Sequence, residues 1–130
     1  MAAKYTPKFD HTLVNEIRDY LKSKHMCKNE IIFASNWLGQ SDSYLRMARH
    51  KRIGVSIGAY ATLAVKLETI GNKLVCETNP TLLAIGNDLL TYAKQCQDEV
   101  VKESLIATGD VDFTSPSFIN TLETMITEKQ

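Results

Sequence analysis

A chain of 130 residues holds one domain, or a small domain with an appendage, and a hydrophobic share of 44% excludes a disordered polymer. Its formal net charge of zero hides an asymmetry: residues 1–73 carry 12 Lys and Arg against 6 Asp and Glu, whereas residues 74–130 carry 3 against 9. No run approaches the ~18 apolar residues of a membrane span, the start MAAKYTPKFDHT lacks the apolar core of a signal peptide, and Cys27, Cys76 and Cys96 have no paired spacing, so a cytoplasmic protein with reduced thiols is expected.

In chain order, residues 1–9 read as a polar arm carrying Lys4 and Lys8. Asp10 can cap a helix running to about Lys24, with Leu13, Ile17 and Leu21 on one face and Val14 and Tyr20 at its edges. Lys22, Lys24 and Lys28 follow near its end. Asn29 can cap a second helix, and Glu30 suits the positive end of that helix. From Ile31 to Lys51 the spacing predicts two short helices joined at Gly39. The first places Ile31, Ala34 and Leu38 on one face, with Trp37 in the core of the pair. Gly39 can turn the chain with positive φ at no steric cost, and Ser41 can cap the helix that follows. That helix turns Leu45 and Ala48 inward and Ser43, Tyr44, Arg46, Arg49 and Lys51 outward.

An apolar inner face and a hydroxyl-rich, basic outer face after a tight turn suit a helix that enters a DNA major groove. The segment resembles the helix-turn-helix of the lambda-repressor/Cro-like proteins. That pattern has a small residue, Gly four later, a hydrophobic residue six beyond the Gly and another three after that, and Ser35, Gly39, Leu45 and Ala48 fill those places. The run Trp37-Leu38-Gly39-Gln40-Ser41 resembles the family's turn, and Val55 to Leu67 resembles the helix that packs behind the DNA-reading pair. The resemblance extends from Asp10 to Ile70. Gln40 departs from the pattern, standing where Val or Ile is usual, and Ile31 replaces a Gln that often touches phosphate. The resemblance implies double-stranded DNA binding by a regulator of phage or mobile-element type. Ser41, Ser43 and Tyr44 are then candidate contacts to base or phosphate, Arg46 the candidate for guanine, and Arg49, His50, Lys51 and Arg52 the candidates for backbone phosphates. The positive surplus of residues 1–73 suits that role, because counterion release depends on a local face and not on the whole-chain sum.

Ser56 can cap a helix with a broad apolar face, Ile57, Tyr60, Ala61, Leu63, Ala64 and Leu67, ended by Gly71. Residues 71–79 read as a connector. Asn79-Pro80 opens a long helix to about Leu105, in which Leu82, Gly86, Leu89, Ala93, Cys96 and Val100 form a heptad-like seam. The seam can pack on the last helix of the same chain or on a second chain. Asp110 and Asp112 lie in a loop that lacks the other ligands of a calcium site. Ser115-Pro116 opens a final helix with a stripe of Phe118, Ile119, Leu122, Met125 and Ile126.

The expected fold is all-α: a helix-turn-helix bundle over residues 1–73, then an acidic helical oligomerisation segment over 74–130. Leu82, Leu89, Ala93, Cys96, Val100, Phe118 and Leu122 are the candidate dimerisation residues. No metal, cofactor or enzyme constellation is indicated. The expected function is sequence-specific DNA binding as a dimeric transcriptional repressor. The alternative is a phage-type inhibitor or host-takeover protein acting through protein contacts of the acidic half, or a small terminase-like DNA-packaging subunit.

Overall fold

The computed structural model describes residues 5–108 and a helix at 116–128, whose side chains are described for 119–127. Six helices and no strand occur among the described residues, so the fold is all-α. None of these helices is long and apolar enough to cross a membrane.

Helix α1 (Thr12–Ser23) starts where the Asp10 carboxylate accepts the Thr12 N–H at 3.0 Å. It buries Val14, Ile17 and Leu21, so Val14 belongs to the inner face and Leu13 to its edge. The helix closes with His25 in the left-handed region (φ 60°), its N–H on the Lys22 carbonyl and that of Met26 on the Leu21 carbonyl. This is a Schellman ending, with His where Gly is usual.

Helix α2 (Glu30–Ile32) is capped by Asn29, whose side chain accepts the Ile32 N–H at 2.9 Å. It continues directly into a π-helical turn, Phe33–Trp37, where the Leu38 N–H reaches back five residues to the Phe33 carbonyl. The Ser35 hydroxyl donates to the carbonyls of Ile31 and Ile32 at 3.2 and 3.3 Å, so it competes for the acceptors of the normal α ladder. The wider turn brings Phe33, Ala34, Trp37 and Leu38 inward together. Ile31, expected on that face, is instead 53% exposed.

Gly39 then turns the chain at φ 66°. Helix α3 (Tyr44–Lys51) begins later than the Ser41 cap implies: the Ser41 carbonyl accepts the Tyr44 N–H within the turn, and Ser43 occupies the cap position without a side-chain bond. Helix α4 (Ile57–Leu74) is capped by Ser56 as expected, with 3.1 Å from the Ala59 N–H to its hydroxyl. It continues past Gly71 by three residues. Helix α5 (Pro80–Ala107) is capped by the Asn79 side chain and lies antiparallel along α4. Gly71 and Gly86 sit at the crossing, where a Cβ on Gly71 would meet Leu90 Cγ at 2.9 Å and one on Gly86 would meet the Val75 nitrogen at 2.9 Å. Gly71 therefore serves close helix approach and does not end the helix. Helix α6 (Pro116–Glu128) carries Ile119, Leu122, Met125 and Ile126 exposed.

The core corrects two expectations. Val14, Ile17, Leu21, Phe33, Leu38, Leu45, Leu63 and Leu67 form one buried cluster with Leu89, Ala93 and Cys96. The division drawn at residue 73 therefore falls in the last turn of α4, across a continuous core. The seam of α5 is covered by its own chain: Leu89, Ala93 and Cys96 are fully buried, and half-buried Val100 packs on the same cluster. Leu82 and Leu122 remain exposed, and the side chain of Phe118 lies outside the described residues, as do Asp110 and Asp112. The acidic helix is also tied to α1, where the Tyr20 hydroxyl donates to Asp88 at 2.7 Å and the Tyr92 hydroxyl to Glu16 at 3.2 Å.

Residues 5–9, expected as part of a polar arm over residues 1–9, form a strap across the α3–α4 loop. The Gly54 N–H donates to the Pro7 carbonyl at 3.0 Å, and a Cβ on Gly54 would lie 2.2 Å from the Lys8 oxygen, so only glycine fits. The buried His11 ring bonds the Ile53 carbonyl at 3.0 Å, and the Tyr5 hydroxyl bonds Glu103.

Candidate nucleic-acid interface

Helix α3 is amphipathic in the required sense. Leu45 and Ala48 anchor it to the core, which leaves the 43, 46, 47, 50 face outward. Arg46 and His50 stand exposed on that face without a side-chain bond among the described residues. Met47, 41% exposed, lies between them. The charge-based reading passed over Met47, although its place four residues after Ser43 marks it as outward. Ser41 is exposed in the turn and Ser43 half-buried at the helix start, while Lys51 ends the helix and Arg52 extends the basic edge past it. Arg52 has φ 55°, and the Ile53 N–H closes on the Ala48 carbonyl at 3.0 Å. A non-glycine residue is thus held in the left-handed region, a conformation that costs roughly 1–2 kcal/mol.

Two of the candidate residues are spent inside the protein. Tyr44 is half-buried, and its hydroxyl oxygen accepts the Ser56 N–H at 2.8 Å, which pins the start of α4 to α3. Arg49 grips Glu30 with both terminal nitrogens, at 2.5 and 2.9 Å, and Arg18 of α1 reaches the same carboxylate at 2.9 Å. One carboxylate therefore joins α1, α2 and α3. Hydrogen bonding from Arg49, aided by both guanidinium charges, holds the Glu30 carboxyl below the usual range despite its partial burial. Arg49 is a positioning residue in this geometry. Of the lysines at the end of α1, Lys22 and Lys28 are exposed, and Lys24 lies 5.6 Å from the centre of the Tyr20 ring.

The arrangement can present a forked guanidinium, an imidazole and an apolar thioether to a groove, with two further cations at its edge. No hydrogen bond or ion pair links α3 to the acidic α5 among the described residues. Residues 14–109 match the model of a family of unknown function, DUF6626. The chain belongs to that family. The DUF6626 match opens inside α1 and closes just after α5, so it covers the helices that share the core and omits α6. No curated protein and no solved structure matches the chain.

Proposed function

We propose that this DUF6626 protein is a sequence-specific double-stranded DNA-binding transcriptional regulator of the cytoplasm, acting as a dimeric repressor through a helix-turn-helix formed by α2 and α3. The observation that carries this reading is the outward face of α3, where Arg46, Met47 and His50 stand free after a positive-φ glycine turn while Leu45 and Ala48 fix the helix to the core. Arg can pair with guanine through two hydrogen bonds, and a methionine side chain can meet a thymine methyl. Lys51 and Arg52 are left for phosphates, and the strap that seats the loop after Arg52 would hold them in place. The exposed apolar stripe on α6 supports a protein contact, for which a second copy of the chain is the proposed partner.

The test is selection from random duplex DNA at near-physiological salt, followed by binding assays with Arg46→Ala. A recovered two-fold symmetric motif, lost with Arg46→Ala at a cost of ~1–3 kcal/mol, supports the reading. Recovery of no motif, with weak and salt-sensitive binding only, overturns it. Reversal of charge at Asp98 and Glu99 then tests the alternative, in which α5 meets a basic protein surface.

A further inference from the structure

A cleft of about 540 Å³ lies between the N-terminal strap and the outer turns of α5. That volume falls within the range of small-molecule sites, about 300–1,000 Å³. Three separate stretches build it. The strap contributes Tyr5 and Phe9, the start of α4 contributes Tyr60, and α5 contributes Glu99 and Glu103.

Its polar groups are poorly satisfied by the protein itself. Tyr60 is only 5% exposed and lines the cleft, yet its hydroxyl has no hydrogen-bond partner among the described residues. The ring is packed while the hydroxyl oxygen opens onto the cleft, so it is free to bond an occupant. Glu103 is 8% exposed and receives one bond, from the Tyr5 hydroxyl. Glu99, half-buried beside it, forms no hydrogen bond and no ion pair. Lys8 and Lys102 reach the same cleft, but neither closes an ion pair on these carboxylates. The third carboxylate of the wall, Asp10, is already engaged by the Thr12 N–H. Burial together with the Glu99 charge pushes the Tyr60 phenol well above its ordinary value, as expected of a neutral hydroxyl facing carboxylates. Pro7, Phe9, Leu13, Val55 and Ile106 supply the apolar part of the wall.

We propose that this cleft binds a small organic cation with an apolar body, whose ammonium or amidinium group donates to Glu99 and Glu103 and to the Tyr60 oxygen. The wall carries three carboxylates, Asp10, Glu99 and Glu103, against two lysines, Lys8 and Lys102, neither of which closes on Glu99 or Glu103, so the cleft disfavours an anion, and a neutral amide would gain the apolar wall without relieving the charge. Phe9 and the tyrosine rings add attraction for a cation through their faces. None of the residues that line the cleft lies on α3, so the proposal does not rest on the DNA-binding reading.

Benzamidine, benzamide and benzoate share one ring and differ in charge, so they separate charge from shape. The experiment is calorimetric titration of each into the full chain, with agmatine as an aliphatic cation and with amide chemical shifts recorded at the strap. The expected result is saturable binding of the two cations that shifts the strap resonances, with benzamide and benzoate at least about tenfold weaker. Glu99→Gln, on the half-buried rim, and Tyr60→Phe, which removes only an unbonded oxygen, are both expected to fold and to weaken benzamidine about tenfold. Equal affinity for all three ring compounds overturns the proposal. So does absence of cation binding up to about 10 mM, or undiminished binding to both folded variants.

Discussion

Replacing Glu30 by Gln is expected to loosen the protein and to strengthen its grip on a polyanion. Glu30 is 29% exposed and accepts two bonds from Arg49 and one from Arg18, whose side chains are 40% and 20% exposed. A fully buried charged network would lose several kcal/mol with its central carboxylate, and a surface pair almost nothing. Partial exposure and the two-pronged Arg49 contact place this case between them, at about 1–2 kcal/mol. Gln keeps one acceptor oxygen but leaves two guanidiniums facing each other. For a chain of this size the loss corresponds to a fall in Tm of roughly 3–8 °C. Its pH dependence follows from the depressed carboxyl. A group with a lowered folded pKa contributes stability above its unfolded value, near 4.3 for Glu, and loses it as pH falls through the folded value. Thermal melts followed by circular dichroism should therefore show a gap between the two proteins that is constant from about pH 6 to 8 and narrows below about pH 4. On duplex DNA, the freed Arg49 should steepen the salt dependence of the variant by about one phosphate contact. A gap that persists undiminished in acid, or no gap at neutral pH, would refute the assignment of Glu30 as the charged junction of three helices.

Gly86→Ala places a Cβ 2.9 Å from the Val75 nitrogen and from Leu74 Cβ, and overpacking of this kind should cost about 1–3 kcal/mol in urea unfolding. Arg52→Gly relieves a left-handed residue and should raise stability by up to about 1 kcal/mol, while reducing the salt slope of DNA binding by about one. Titration of the native protein with a thiol reagent should modify Cys76 quickly and spare Cys27 and Cys96, with all three reacting in denaturant. Burial raises both of those thiols, Cys96 to about 12.

The helices and their caps were legible because their signals are local. Asn29, Ser56 and Asn79 each cap the helix their position implies, and the α1 stripe lies inward with Val14 in place of Leu13. The π-turn was not legible, since a count of 3.6 residues per turn places Ile31 inward and has no means of sensing the Ser35 hydroxyl on two carbonyls. The fate of the α5 seam was open for a different reason. Heptad spacing reports an apolar stripe and says nothing of which helix covers it, and here α4 does. At the candidate interface, charge marked Arg46 and Arg49 alike; only the position of Glu30, nineteen residues away, separates a free guanidinium from an engaged one. The cleft under the strap joins residues about one hundred positions apart, from Tyr5 to Glu103, and no local pattern could have gathered them.

The widened turn at Phe33–Trp37 also bears on how this region tolerates changes in length. A π-helical turn stores one more residue than an α-helical turn between the same two ends. Deleting a residue from an ordinary stretch of helix swings everything beyond it by ~100° and would pull Trp37 and Leu38 out of the core. A deletion at Ser35 can instead be absorbed by conversion of the turn to α geometry, with the faces before and after it retained. The segment ahead of Gly39 is thus a place where family members can differ by one residue and still deliver α3 in the same orientation.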